Sequence, residues 1–279
     1  MLLICFCLCY NTVMDDFNYS VDDFIFSYET HKKMDPTHFK KHMHAYYEML
    51  YLDAGEITYV IEDKSYNLKK GNLILIDSAY YHFVHSMQQT PYKRYMIQFT
   101  DDFVDNTRIE EVYKNGTVYQ FAENAPVPRL IGLLAELWPI IPPQSRKSLC
   151  QNMLNVLLSA LISQKAEDVS PPGIKAVSKT CQELNSYINS HLTSLNNLDD
   201  LANHFYFSKT YLNHLFKKEM NISVMQFIRN KKILLAQKLI RAGRKPTEVY
   251  EECGFTNYVS FYRAYCRFLG ESPSARKHD

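Results

Sequence analysis

Leu198-Asp199-Asp200-Leu201-Ala202, then Phe205-Tyr206-Phe207-Ser208, then Tyr211-Leu212-Asn213-His214-Leu215-Phe216-Lys217-Lys218 decides how this chain is read. The run is a short helix, a tight turn and a second amphipathic helix. The pattern returns further on as Glu248-Val249, then Cys253-Gly254-Phe255, then Phe261, Arg263 and Tyr265, closing on Gly270-Glu271-Ser272-Pro273. In a helix-turn-helix the second helix enters the DNA major groove. Two such units on one polypeptide imply a chain that reads two adjacent groove segments as a monomer. Between them, Val224 to Ala242 has helical apolar spacing, with Phe227, Ile228, Leu235 and Leu239 on its inner face. Gly243 supplies a C-terminal stop and Pro246 opens the next helix. That linker spans about 28 Å at 1.5 Å per residue. With helix offsets, it sets two recognition helices roughly 34 Å apart, one DNA turn.

The caps and the polar faces follow. Asn197 is a good N-cap for the first helix, and Asp199 and Asp200 suit its positive end. Ser208 caps the first recognition helix, whose buried face is expected to be Tyr211, Leu212, Leu215 and Phe216. Lys209, Thr210, Asn213, His214 and Lys217 are left facing the groove. In the second unit Asn257 is the cap, Phe261, Tyr265 and Phe268 are buried, and Tyr258, Tyr262, Arg263 and Arg267 point outward. Asparagine pairs bidentately with adenine, and lysine reaches guanine or phosphate. Arg263 suits a phosphate or structural contact. For any one of these residues the plain alternative is a solvated helix face, because backbone contacts outnumber base contacts.

The net charge of +1 argues against a nucleic-acid binder until its distribution is seen. From Thr180 onward there are 14 Lys and Arg against 9 Asp and Glu; before it, 17 against 21. Positive charge gathers where phosphate must be neutralised. The seven cysteines are scattered, with no zinc-finger spacing, and read as reduced thiols of a cytosolic protein.

The string Gly254-Phe255, Phe261-x-Arg263-x-Tyr265 and Gly270-x-Ser272-Pro273 resembles the DNA-binding domain of AraC/XylS-type transcription regulators. Three positions depart from that pattern. Tyr250 stands where a small residue usually packs in the helix crossing, so its ring is expected to repack the second unit. Cys266 replaces a usual basic residue, and Lys232 a usual arginine on the linker helix.

Upstream, the period changes. From about Val21 to Thr100, short apolar runs such as Met49-Leu50-Tyr51-Leu52 and Leu73-Ile74-Leu75-Ile76 alternate with turn signals at Asp53-Ala54-Gly55 and Lys69-Lys70-Gly71-Asn72. That spacing predicts a sandwich or barrel. His42-x-His44-x3-Glu48-x6-Gly55 fits the first cupin motif; Gly71, Asp77, Ala79, His82 and Ser86 fill part of the second. The segment therefore resembles a cupin barrel, as the regulator resemblance also implies. Two histidines at i and i+2 on a strand share a face. His42, His44, Tyr46, Glu48, Tyr51 and His82 are the expected lining of a small-molecule pocket. Tyrosines, 21 in the chain, suit a sugar or another polar ligand by stacking and hydrogen bonding, although they also favour strands. No metal is assigned; the alternative is a divalent ion on His42, His44, Glu48 and His82.

From Val127 the period is helical. One stripe is Leu130, Leu133, Leu134 and Leu137; another is Leu149, Met153, Val156, Leu157, Ala160 and Leu161. The second either packs on the barrel or, as the resemblance implies, forms a homodimer. The expected class is α+β multidomain: residues 1–13 as a misassigned leader before Met14 or a short strand, 14–105 a cupin-like ligand-sensing barrel, 106–164 a helical dimerisation region, 165–175 a Ser-Pro-Pro-Gly linker, and 176–279 an all-α domain of two helix-turn-helix units. No run is long enough to span a bilayer, and the protein is expected in the cytoplasm, without catalytic residues or a cofactor. The function expected is a DNA-binding transcription regulator acting on promoters, an activator in contact with RNA polymerase, controlled by a small molecule. The rivals are a metal-dependent cupin enzyme fused to a DNA-binding domain and a ligand-independent dimeric regulator.

Overall fold

The computed structural model describes residues 15–32, 41–101, 103–104, 106–167 and 177–275, with backbone alone at 86–90 and 106. The expected leader and most of the expected linker lie outside these residues.

Seven antiparallel strands form the first region: β1 (Phe17–Val21), β2 (Phe24–His31), β3 (Tyr47–Ile61), β4 (Lys64–Lys69), β5 (Asn72–Ile76), β6 (His82–Phe99) and β7 (Val118–Gln120). Hydrogen bonding runs β1-β2-β6-β3-β5-β7, with β4 on the far half of β3. This is the cupin-like sheet expected from the resemblance around His42, His44, Glu48 and Gly55. The long β3–β6 pair is the spine, and it bends. Its register slips between Leu52 and Ile57, and Gly55 sits there at φ 90°. Bulges of this kind kink one strand against its partner. Gly71 closes the β4–β5 turn at φ 90°, where an added Cβ would lie 2.4 Å from the Phe121 carbonyl oxygen.

Strand alternation divides the side chains of β3. Tyr47, Met49 and Tyr51 enter one core with Phe24, Phe26, Leu73, Ile97 and Phe99. Helices α1 (Asn106–Asn115), α2 (Pro126–Leu137) and α3 (Pro143–Ile162) cover that core. Leu50 and Leu52 enter a second core with Ile57, Tyr59, Leu68, Ile74 and Val84. Glu48 shares the parity of Leu50 and Leu52.

The apolar stripe expected on α3 splits. Leu157 and Leu161 of it are buried against the sheet core, joined there by Leu154 and Leu158, whereas Leu149, Met153 and Ala160 are half-buried and Val156 is exposed. Trp138 packs flat on Tyr19, with ring centroids 5.0 Å apart, and is a packing residue. Cys150, Cys181 and Cys253 are buried free thiols and Cys266 is a half-buried one.

The C-terminal region is all helix: α4 (Lys179–Ser190), α5 (Leu198–Phe205), α6 (Lys209–Met220), α7 (Val224–Arg241), α8 (Pro246–Glu252) and α9 (Tyr258–Leu269). The expected caps are in place. Asn197 accepts from the Asp200 amide at 3.0 Å, Ser208 from Tyr211 at 3.1 Å and Asn257 from Ser260 at 2.8 Å. The first unit turns through Tyr206 in the left-handed region at φ 56°, the second through Gly254 at φ 76°. At Gly254 a Cβ would sit 1.8 Å from the Thr193 carbonyl oxygen, so only glycine fits there.

The central helix α7 is buried nearly all round, including Lys231, Lys232 and Gln237. Lys232 ties the units together. Its Nζ donates to the Leu195 carbonyl at 2.8 Å, to Asn196 Oδ1 at 3.1 Å and to the Gly254 carbonyl at 2.9 Å.

Candidate functional sites: a DNA-reading face and a polar cluster

The second helices of the two helix-turn-helix units, expected as recognition helices, are α6 and α9. On α6, Lys209, Thr210, His214 and Lys217 are exposed and Asn213 is half-buried. Lys209 pairs with Asp199 on the preceding helix, so part of its charge is already answered. Tyr211 was expected in the buried face and is not there. Its ring is 42% exposed and packs on the half-buried Phe207 at 4.8 Å, at the edge of the core.

On α9, Tyr262, Arg263 and Arg267 are exposed and Tyr258 is half-buried. The first turn also exposes Val259 and Ser260, which helical periodicity alone did not single out. Val259 is 57% exposed, and an aliphatic methyl beside a groove is the partner a thymine methyl accepts. Tyr250 does not disrupt the second unit. Val249 and Cys253 fill the helix crossing, while the Tyr250 ring lies at its edge against Tyr258 and Phe261. Its hydroxyl donates to Glu251 at 2.7 Å.

The second site lies in the sheet region. His42 and His82 form an antiparallel bridge, with backbone hydrogen bonds of 3.2 and 2.9 Å. This brings the His42, His44 and His82 rings together, with centroids 4.3 to 5.4 Å apart. Glu48, only 2% exposed, faces them from the first residues of β3. Its Oε2 lies 3.3 Å from His44 Nε2 and 3.8 Å from His82 Nε2, and it accepts from Gln98 Nε2 at 2.9 Å. Burial by itself would raise the Glu48 carboxyl. Hydrogen bonding and charge from the neighbouring His44, with the Gln98 amide, outweigh it and hold the carboxyl well below the usual range. Burial pushes His82 down to about 3, so its ring is neutral.

Of the six expected pocket residues, four converge here. Tyr46 stands at the rim, edge-on to His44 at 5.9 Å. Tyr51 is on the opposite face of β3, in the helix-covered core, three residues and hence one parity switch from Glu48. Gln98 belongs to the cluster and was missed, because its strand register opposite Glu48 is a pairing no local pattern reveals.

The donor set fits a divalent ion. His82 Nδ1 lies 2.8 Å from the Tyr80 carbonyl, so it carries the proton and leaves Nε2 as a lone pair. That Nε2 is buried, without a hydrogen-bond partner, and faces an ionised carboxylate. A lone pair against a negative oxygen is unfavourable unless a cation lies between them. His44 Nδ1 is likewise directed at a backbone carbonyl, that of Tyr46 at 3.2 Å. Carbonyls behind both rings are the outer-shell arrangement that orients metal-binding histidines. Nitrogen atoms of His42, His44 and His82 lie within 4.8 Å of one another.

One ribbon joins this cluster to the DNA-reading region. Even positions 42, 44 and 82 carry the histidines. Odd positions Met43, Tyr81 and Phe83 enter a core shared with Val177, Cys181, Leu184, Leu212, Phe216 and Phe227. Lys41 donates to the Glu219 carbonyl, and the Tyr81 hydroxyl donates to that of Met220, at the end of α6. Beside them a buried pair, Lys231 Nζ to Glu62 Oε1 at 2.8 Å, joins α7 to the β3–β4 turn. Asn185 of α4 and the Tyr81 amide complete the hydrogen bonding of Glu62. A cavity of about 260 Å³ lies along the same seam, between Asp77 and Tyr80 on one side and Lys231, Lys238 and Arg241 on the other.

Comparison with known proteins agrees with this two-part architecture. A family profile described as an AraC-like ligand binding domain matches residues 27–162, and one described as a helix-turn-helix domain matches 201–278. The uncharacterised HTH-type transcriptional regulator YfiF of Bacillus subtilis (strain 168) is 25% identical over 243 residues, covering 83% of this chain and 76% of its own. The arabinose operon regulatory protein of Escherichia coli (strain K12) is 31% identical over 125 residues, covering 44% of this chain and 41% of its own. Among solved structures, ToxT from Vibrio cholerae covers 91% of this chain and 97% of its own at 14% identity, with a TM-score of 0.38. No described helix is long and apolar enough to cross a membrane. With a ligand-binding domain profile and a helix-turn-helix profile in order on one chain, and transcriptional regulators as its relatives, the protein belongs to the AraC family of transcriptional regulators.

Proposed function

We propose that this regulator binds promoter DNA through α6 and α9 and takes its signal from an effector bound at the His42, His44, Glu48 and His82 cluster, with Tyr46 at the rim. The observation that carries this reading is the ribbon of residues 41–44 and 81–83. Its even side chains make the cluster and its odd ones dock on α4, α6 and α7. Strand side chains cannot move on one face without moving the backbone that carries the other. A bound effector therefore bears directly on the first reading head. Most of the recognition residues are exposed in this docked arrangement, with Asn213 and Tyr258 half-buried.

The effector expected first is a small polar metabolite such as a sugar, hydrogen-bonded by Glu48, Gln98 and the histidines. The unpartnered His82 Nε2 favours a second reading, in which the effector is a divalent transition-metal ion held by the three histidines and Glu48. Calorimetric titration of metal-free protein with Zn²⁺ and Co²⁺, and separately with a panel of sugars, separates the two. Saturable metal binding lost in His82→Ala supports the ion. Sugar binding lost in Glu48→Ala supports the metabolite. If neither ligand binds, the cluster is structural and the ligand-independent regulator stands.

We propose further that the chain pairs with a second copy through the exposed Val156 and the half-buried Leu149, Met153 and Ala160 of α3, and that it activates transcription by contact with RNA polymerase. Val156→Glu should yield monomer by analytical ultracentrifugation. In a reporter assay the wild-type chain should raise transcription from its promoter; lowered transcription would make it a repressor.

A further inference from the structure

A cleft of about 650 Å³ lies between the loop before α5, the start of α7 and one flank of α9. Arg229 of α7 and Arg263 and Arg267 of α9 line it, together with Gln226 and Ser260. All three arginines are exposed, and none has a hydrogen-bond or ion-pair partner among the described residues. Among the described residues, no acidic side chain lines the cleft. The cavity at the domain seam is different, since Lys238 there faces Asp77 and Asp101 and pairs with Asp101.

Three guanidiniums without a carboxylate partner in one concavity raise the local positive potential and favour an anion there. The floor is fixed. Lys232, bonded to Leu195, Asn196 and Gly254, locks the loop before α5 to the turn before α9. Arg229 is therefore held at a set separation from Arg263 and Arg267, which follow each other by one helical turn on α9.

We infer that this cleft is a phosphodiester site: it seats the DNA backbone that runs between the two major-groove segments read by α6 and α9. The inference rests on α6 and α9 being the recognition helices. Where α6 and α9 enter consecutive major grooves, the minor groove and its two flanking backbones pass in front of the space between them. Guanidinium forks match phosphate oxygens bidentately, and Gln226 and Ser260 add neutral donors. Arg263 and Arg267 are thereby assigned to backbone rather than to base edges. Their role is to set the register of the heads, and they contribute affinity that does not depend on sequence.

The test uses the full-length protein and a duplex selected from a random-sequence pool by that protein. Arg229→Gln and Arg267→Gln should each lower the slope of log affinity against log salt by about 0.9. Base preference across the selected site should stay unchanged. Ethylation of phosphates between the two protected groove patches should block wild-type binding and lose that effect in Arg229→Gln. Arg229→Lys should restore most of the slope. An unchanged slope in Arg229→Gln, with Asn213→Ala still altering base preference, overturns the cleft assignment alone. If Asn213→Ala and the α9 variants alter neither base preference nor salt slope, the recognition-helix assignment fails as well.

Discussion

The two reading heads share a fold and differ in what holds them. The first, α5 and α6, is built into a core with Met43, Tyr81 and Phe83 of the sheet region. The second, α8 and α9, has a core of its own with α7, made of Ile233, Ala236, Val249, Cys253, Phe261 and Tyr265, and contains no sheet residue. The first head is thus the one that the sheet region holds. The second is an anchored follower, fixed by α7 and by the Lys232 contacts. The contrast between the tandem units is thus one of support: the first is packed on the sheet region, and the second on α7 alone.

The largest effect should come from the seam. Lys231→Ala strands the buried Glu62 carboxylate, and loss of one partner of a buried pair costs about 3–5 kcal/mol. Chemical denaturation should show that loss, and the double variant Glu62→Gln with Lys231→Met should recover most of it. A loss below about 1 kcal/mol in the single variant would mean the seam does not hold the first head.

Gly254→Ala attacks the other head. The new Cβ would collide with the Thr193 carbonyl at a positive φ, at a cost on the order of 3 kcal/mol. Footprinting should then lose the groove patch of α9 and keep that of α6. Loss of both patches together would show that the heads are one cooperative unit.

Asn213→Ala should relax base preference in the first half of the site by about 1–3 kcal/mol, if the amide pairs with adenine. Selection from a random pool should show the change at one half-site only.

Asn257→Ala removes a single cap bond and should cost about 1 kcal/mol. Amide exchange should quicken at the start of α9 and leave α6 unchanged.

Much of this was legible in the sequence. Asn197, Ser208 and Asn257 announce their helices through local cap chemistry, and the expected 224–242 linker helix is the observed Val224–Arg241 within one residue. The histidine pattern around Glu48 is also local, because i and i+2 on a strand share a face. Where parity was not counted through, as from Glu48 to Tyr51, a residue was placed in the wrong environment. The seam was not legible. Met43, Tyr81 and Phe83 look like any strand side chains, and Lys231 and Lys232 look like surface lysines until Glu62 and the Leu195 and Gly254 carbonyls are brought to them by distant parts of the chain. Tyr211 was misplaced because helical periodicity cannot tell a core face from the flank of a turn.

The central claim is that the sheet region holds the first head and not the second. Hydrogen–deuterium exchange of the full-length chain against Tyr81→Ala tests it most directly, since that change removes the contacts to Met220 and Phe227. The account predicts that protection falls across residues 198–220 and is unchanged across 258–269. An equal fall in both heads, or no change in either, would contradict it.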